Sequence, residues 1–288
     1  MSLHEPEIRE IADADLAAVV ELLVRGFPER TRAFWLRALA QLIKHQQPSG
    51  LPRYGYVMKR QNILVGVILT IFSQVRDGEG FAIRCNPCAW YVDPPFRAYA
   101  GLLFATALSH KNVTYLNVSP TPQTHRMIEA LGFARYSNGV FIGIPAFHIM
   151  SGEAGAKVFS PFRRLPICVD PFEKELLVQH AEHGCISAWC LAEGRAYPFV
   201  FQRRLARGFV PCARLIYCRA VEDFVRFAGP IGRFLALRGC LFVMVAANGP
   251  LPGLIGKFRS DTLPRYFKGA QRPDLADVAY TEFGVLGV

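Results

Sequence analysis

An α+β architecture of mostly antiparallel strands flanked by helices, laid down twice in tandem, is what this sequence predicts. Three observations carry it. Residues 89–131 run strand, small-residue turn, helix, strand, helix; three strand-like runs before them are joined by turn sequences; and the same order recurs, worn, in the second half.

The elements follow in order from periodicity and breakers. Residues 8–11 form a short strand, and Asp13 or Asp15 can cap a helix carrying Leu16, Val19, Val20, Leu22 and Leu23. Gly26 and Pro28 end it, and residues 31–45 give a second helix with Phe34, Trp35, Leu36, Leu39, Leu42 and Ile43 on one side. A meander follows at 54–59, 63–73 and 81–92, with turns at Arg60-Gln61-Asn62 and Asp77-Gly78-Glu79-Gly80. A strand within 136–148 completes the first half.

Between these lies the stretch with chemistry. The apolar run 89–92 must end at Asp93-Pro94-Pro95, because proline removes a ladder donor and denies the preceding residue a helical turn. Ala98, Ala100 and Gly101 then let a ligand approach the backbone as a helix, expected over 98–110, begins. Its first-turn amides lack internal partners and sit at the positive end of the dipole, a natural place for a pyrophosphate, and Arg97 adds a charge there. Leu102, Leu103, Ala105, Thr106 and Leu108 are its expected buried side, and residues 113–118 read as the next strand.

Residues 7–148 resemble the GNAT acyl-CoA N-acyltransferase superfamily. The likeness rests on Val92-Asp93-Pro94, on Arg97-Ala98-Tyr99-Ala100-Gly101-Leu102 against the pattern R/Q-x-x-G-x-G/A, and on the closing Leu131-Gly132-Phe133. Alanine stands at the first expected glycine and leucine at the last position. The resemblance implies a GNAT-like mixed sheet, an acetyl-CoA or other acyl-CoA co-substrate whose pyrophosphate sits on Arg97, Ala98, Tyr99, Ala100, Gly101 and Leu102, and thioester polarisation by backbone donors of Trp90, Tyr91 and Val92.

The second half repeats the plan: strands at 186–193, 195–203 and 210–219, a helix over 221–238, an apolar strand at 241–246 and a closing strand at 278–285. Pro87-Cys88-Ala89 recurs as Pro211-Cys212-Ala213, 124 residues on. No arginine with a small-residue turn appears between residues 220 and 227, so a second coenzyme site is not expected. Residues 1–150 are therefore read as an acyltransferase domain with the acyl-CoA site, 151–165 as a linker opening on the small polar run 151–157, and 166–288 as a degenerate second GNAT-like domain. At 288 residues and 51% hydrophobic, the chain can bury two cores.

Composition narrows the partners. The net charge of +10 divides as +4 for residues 1–150 and +6 for the rest, which suits coenzyme A phosphates or an anionic acceptor; short blocks such as Arg163-Arg164 and Arg203-Arg204 read as solvated faces. No zinc-finger or ribonucleoprotein signature points to nucleic acid. Cys85 and Cys88 stand three apart on a strand, facing opposite sides, so no metal site is expected; His180 and His183 read as partly exposed helix histidines. With an acidic N-terminus and no uninterrupted apolar span, the chain reads as cytoplasmic, with no membrane partner; homo-oligomerisation is left open.

The side-chain helpers are where the family pattern lapses. No acid lies between Phe81 and Val92, the position of the family's thiolate-protonating tyrosine is Ile128, and that of its asparagine is Thr121. His125, Glu129, Tyr136 and Cys88 are substitutes, each with a structural explanation, and Glu282 is a candidate if its segment faces the cleft. The expected function is N-acyl transfer from acyl-CoA to a small-molecule or peptide amine. The alternatives are a noncatalytic acyl-CoA-binding or scaffold module and, through other paired GNAT-like enzymes, aminoacyl transfer.

Overall fold

Turn chemistry and apolar periodicity partition the chain much as the sequence predicts. The computed structural model describes residues 5–78, 80–148, 155–206 and 208–288. The first half comprises β1 (Glu7–Glu10), α1 (Leu16–Gly26), α2 (Arg32–Lys44), β2 (Gly55–Arg60), β3 (Ile63–Asp77), β4 (Gly80–Val92), α3 (Ala100–Ala107), β5 (Val113–Asn117), α4 (His125–Ala130) and β6 (Ala134–Gly143). The second comprises β7 (Lys157–Phe159), α5 (Pro171–Glu182), β8 (Ile186–Ala192), β9 (Arg195–Ala206), β10 (Val210–Tyr217), α6 (Val221–Arg226), α7 (Ala228–Ala236), β11 (Phe242–Ala247) and β12 (Gly256–Lys268). None of the described helices is long and apolar enough to cross a membrane.

All twelve described strands form one sheet, in the order β1-β2-β3-β4-β5-β12-β6-β11-β10-β9-β8-β7. Read from either end, the order is the same: β1 to β5 answer β7 to β11, and β12 answers β6. Each half has one parallel pair, β4 with β5 and β10 with β11, and their registers repeat at a shift of 129 residues: Ile83 on Val113, Cys212 on Phe242. Duplication is thus written in the pairing. The recurring Pro-Cys-Ala tripeptides lie on corresponding strands, yet their spacing of 124 puts them five residues out of register, so they are not equivalent positions.

The centre of the sheet was not legible in advance. β6 pairs with β11 and β12, both from the second half, and β12 pairs with β5 and β6 of the first. Each half gives its sixth strand to the other. β12 lacks an apolar alternation because register shifts interrupt it between Ser260 and Tyr266, where Asp261 and Leu263 take positive φ. The closing strand expected at 278–285 does not form. Tyr280 has φ +56°, which breaks an extended path, and the segment coils so that the Gly284 and Val285 amides donate to Thr281 O.

Three smaller differences have local causes. Pro94 and Pro95 start a 3₁₀ turn over Pro94–Tyr99, so α3 opens only at Ala100; it buries Leu103, Phe104 and Ala107 while leaving Leu102 exposed. The helix expected over 221–238 divides at Phe227 into α6 and α7. Residues 149–154, most of the small polar run, lie outside the described residues, and the expected linker holds the strand β7, paired with β8.

Packing divides by face. On one face of the first half, α3 and α4 cover Tyr56, Met58, Ile68, Phe72, Cys85 and Tyr115; on the corresponding side of the second half, α6 and α7 cover Phe199, Phe201, Leu215 and Val243. The opposite face carries one continuous core through both halves, from Leu23, Trp35 and Leu69 to Leu177, Trp189, Val200 and the coil residues Val278, Phe283 and Leu286. Cys85 and Cys88 lie in different clusters, on opposite faces.

Candidate functional site

The site begins where β4 and β5 part. Their parallel pairing covers only Ile83–Cys85 against Val113–Tyr115, and at the next residue the Asn86 side chain takes over, donating from Nδ2 to Leu116 O at 2.8 Å. Beyond it β4 bulges: Ala89 has φ +48°, and Ala89 and Trp90 together oppose Ile68 of β3, leaving backbone outside the ladder. The gap is a cleft of about 200 Å³ lined by Cys88, Ala89 and Trp90 on β4 and by Asn117, Ser119 and Thr121 after β5. Trp90 and Phe104 reach it from the α3 face and Trp35 from the opposite one, so it runs through the sheet.

The rim on the α1 side is braced. Tyr91 OH donates to Asp93 Oδ1 at 3.0 Å, and Arg25 holds both Asp93 oxygens at 3.0 and 2.9 Å. α1 ends in Gly26 because a Cβ there would stand 2.4 Å from the Tyr91 ring.

One carboxylate is carried deep into the cleft by the C-terminal coil. Glu282 is buried; its oxygen accepts from Ser119 Oγ at 2.5 Å and its amide donates to Asn86 Oδ1 at 2.7 Å. Burial pushes its carboxyl above the ordinary carboxylate range, against the pull of the Ser119 hydroxyl and the Arg214 and Arg30 charges. Phe283, next along, lies under the Arg214 guanidinium at 4.0 Å. His180 pins the coil from below: Nε2 accepts the Tyr280 amide at 3.2 Å while Nδ1 donates to Leu176 O at 2.8 Å. That pair of bonds fixes a neutral imidazole, and burial pulls its pKa to about 4. The histidine is wholly buried, not half-exposed as its helix pattern suggests, and the described residues hold no metal-binding group.

No known family model matches the sequence, and no curated protein does. Solved structures do match the architecture. A GCN5-related N-acetyltransferase from Anabaena variabilis is 13% identical with a TM-score of 0.60, covering 91% of this chain and 72% of its own. A candidate acetyltransferase from Pyrococcus horikoshii is 10% identical with a TM-score of 0.58, covering 97% and 95%. Eis1 from Mycobacterium abscessus is 11% identical with a TM-score of 0.50, covering 95% and 74%.

The chain has the GNAT fold. Within it, Trp90 lines the cleft, while Tyr91 and Val92 pair with Val67 and Gly66 of β3. Arg97 and Ala98 are exposed on the 3₁₀ turn; Tyr99 and Ala100 are half-buried; Gly101 faces open space and Leu102 is exposed beside it. The turn ties the Phe96 amide to Asp93 O and the Ala100 amide to Arg97 O.

None of the substitute acid–base residues other than Cys88 lines the cleft. The His125 ring packs 5.6 Å from that of Tyr266, Glu129 accepts from Tyr266 OH at 3.1 Å, and Tyr136 is buried at the centre of the sheet. Cys88 does line it, but burial and the Glu282 charge hold its thiol protonated, well above the ordinary value. Ile128 is core, whereas Thr121 is at the cleft. Asn86, Ser119 and Arg30 were missed. Asn86 carried a signal, as an amide inside a strand, directly before Pro87.

Proposed function

We propose that this chain transfers an acyl group from acyl-CoA to an amine at the cleft between β4 and β5. The observation that carries the reading is a slot through a GNAT-fold sheet, with a bulged strand on one wall and a buried carboxylate, Glu282, lining it. The exposed Arg97 guanidinium and the open space over Gly101 suit a pyrophosphate, together with whichever amides of residues 97–102 the 3₁₀ turn leaves unengaged. Backbone from the Ala89–Trp90 bulge onward to Tyr91 and Val92 supplies donors toward the thioester oxygen.

In this reading the amine nitrogen attacks the thioester carbon, the carbon–sulfur bond breaks, and coenzyme A leaves as its thiol after taking a proton from solvent. Glu282 accepts the proton lost by the amine. Its raised pKa brings it nearer to working pH as a base, and Ser119 holds the oxygen in place. The group missing from the first half thus comes from the second. Orientation of the two reactants in a narrow slot accounts for much of the remaining rate.

Glu282→Gln tests the reading, since it keeps the shape and removes the base. Thiol release with a panel of amines should fall by about 10²–10⁴-fold while acyl-CoA affinity stays unchanged. Unchanged turnover would overturn the role of Glu282. Tight acyl-CoA binding without turnover of any amine by the native chain would favour a noncatalytic acyl-CoA binder, a reading that the tied Phe96 and Ala100 amides also suit.

A further inference from the structure

Arg30 lines the transfer cleft and also a second, adjoining cavity of about 580 Å³ at the β9–β10 hairpin. That cavity is walled by Arg30, Arg203, Arg204 and Arg238, with Pro211 and Cys240, and no carboxylate reaches it. The four guanidiniums come from the α1–α2 loop, from β9 and from the end of α7. Arg30 lies 4.8 Å over the Phe34 ring, and Arg238 lies 3.5 Å over the Phe234 ring and donates to Phe234 O at 2.9 Å. Among the described residues none of the four is paired with an acid. The field of Arg30 acts on Arg204 and that of Arg203 on Arg238, each lowering its neighbour's pKa alongside burial.

Folding therefore gathers like charges around a void with no acid on its wall, in a concave surface that focuses their field, and the Arg30 charge also acts on Glu282 in the adjoining cleft. The void has the size of a small-molecule pocket, and guanidinium forks match the oxygen geometry of phosphate. Four positive charges on a wall that carries no acid suit a group with more than one negative charge. We propose that the acceptor is an amine carrying a phosphate, with the phosphate in the arginine cavity and the amine passing Arg30 into the cleft toward Glu282. The proposal rests on the acyl-transfer reading above for the fate of the amine, and on the cavity alone for the anion. It revises the expectation that Arg203-Arg204 is only a solvated face.

The test uses ω-aminoalkyl phosphates of two to six carbons against the matching aminoalkanols, with acetyl-CoA and a thiol-release readout. The native chain should prefer the best phosphate by about tenfold or more in kcat/KM, and the preference should shrink with added salt. Arg203→Ser with Arg238→Ser removes two exposed side chains and should cut the preference to about threefold or less, with the KM for acetyl-CoA unchanged; Arg204→Gln is the second variant and should act in the same direction. Equal use of alkanols and phosphates by the native chain would overturn the proposal. So would a raised KM for acetyl-CoA in the variants, since the cavity would then serve the coenzyme's own phosphates. If no amine is turned over, the transfer reading fails, and calorimetry with inorganic pyrophosphate under saturating coenzyme A decides the cavity: binding lost in the double variant supports an anion site, and no binding by the native chain overturns it.

Discussion

Protonation of two buried histidines should govern how this fold responds to acid. His45 and His180 are both buried, His45 Nε2 against Phe72 O at 2.8 Å and His180 between Leu176 O and the Tyr280 amide. Burial lowers each from the ordinary 6.5 to about 4. The unfolded chain therefore takes up protons between pH 6.5 and 4 that the native chain refuses, so stability is full above 6.5, falls as pH drops through that window, and levels below 4. At 1.36 kcal/mol for each unit of pKa, each histidine withdraws about 2 kcal/mol by pH 5 and about 3 kcal/mol below pH 4. Urea unfolding at pH 7, 6, 5 and 4.5 should show this slope, and His180→Gln, which cannot titrate but can still accept the Tyr280 amide, should remove about half of it. An unchanged slope in that variant, or a His45 or His180 ring resonance titrating near 6.5 in the native protein, would refute the reasoning. Protonated His180 would also turn a donor toward the Tyr280 amide, loosening the coil that holds Glu282.

The remaining expectations concern the site and its frame. Arg97→Glu should weaken coenzyme A binding by about tenfold or more by setting an anion where a pyrophosphate is proposed, and calorimetry showing native affinity would move that site elsewhere. Asn86→Ala deletes the partner of both Leu116 O and the Glu282 amide, and should lower stability by about 1–3 kcal/mol in urea titrations and cut turnover as well; a stable variant of native activity would show that the amide does not position Glu282. Residues 1–150 alone should fail to give a cooperative unfolding transition, because β6 would lose every strand it pairs with and β5 one edge; a sharp transition would show that the half folds by itself.

What the sequence disclosed was local. The meander was legible to within a few residues because turn-forming residues separate its strands, Asn62 taking positive φ between β2 and β3 and Gly194 between β8 and β9. The parting of β4 and β5 could be anticipated from Val92-Asp93-Pro94 and the helix beyond. Long-range placement could not. β12 is a central strand whose sequence, GKFRSDTLPRYFK, looks like an exposed loop, and its buried Arg265 is tolerated because Nη1 reaches Leu275 O at 2.9 Å. Glu282 is far from the cleft in sequence, and contacts made only in the fold, among them those of His180, Asn86 and Ser119, bring it there. Arg30 and Arg204 likewise have no pattern in common until the fold sets them side by side.

The exchanged sixth strands have a consequence for how the chain can be made. Asn117 of β5 must wait for Tyr266 of β12, and Gly143 of β6 for Val243 of β11. During synthesis the first half would leave the ribosome with three hydrogen-bonding edges open, one on β5 and both on β6, a state prone to pairing with other chains, until nearly the whole polypeptide has been translated. Completion then depends on contacts of long sequence separation, which makes the closing step slow and all-or-none. The same linkage means that neither half could have been lost or replaced during descent without unravelling the other.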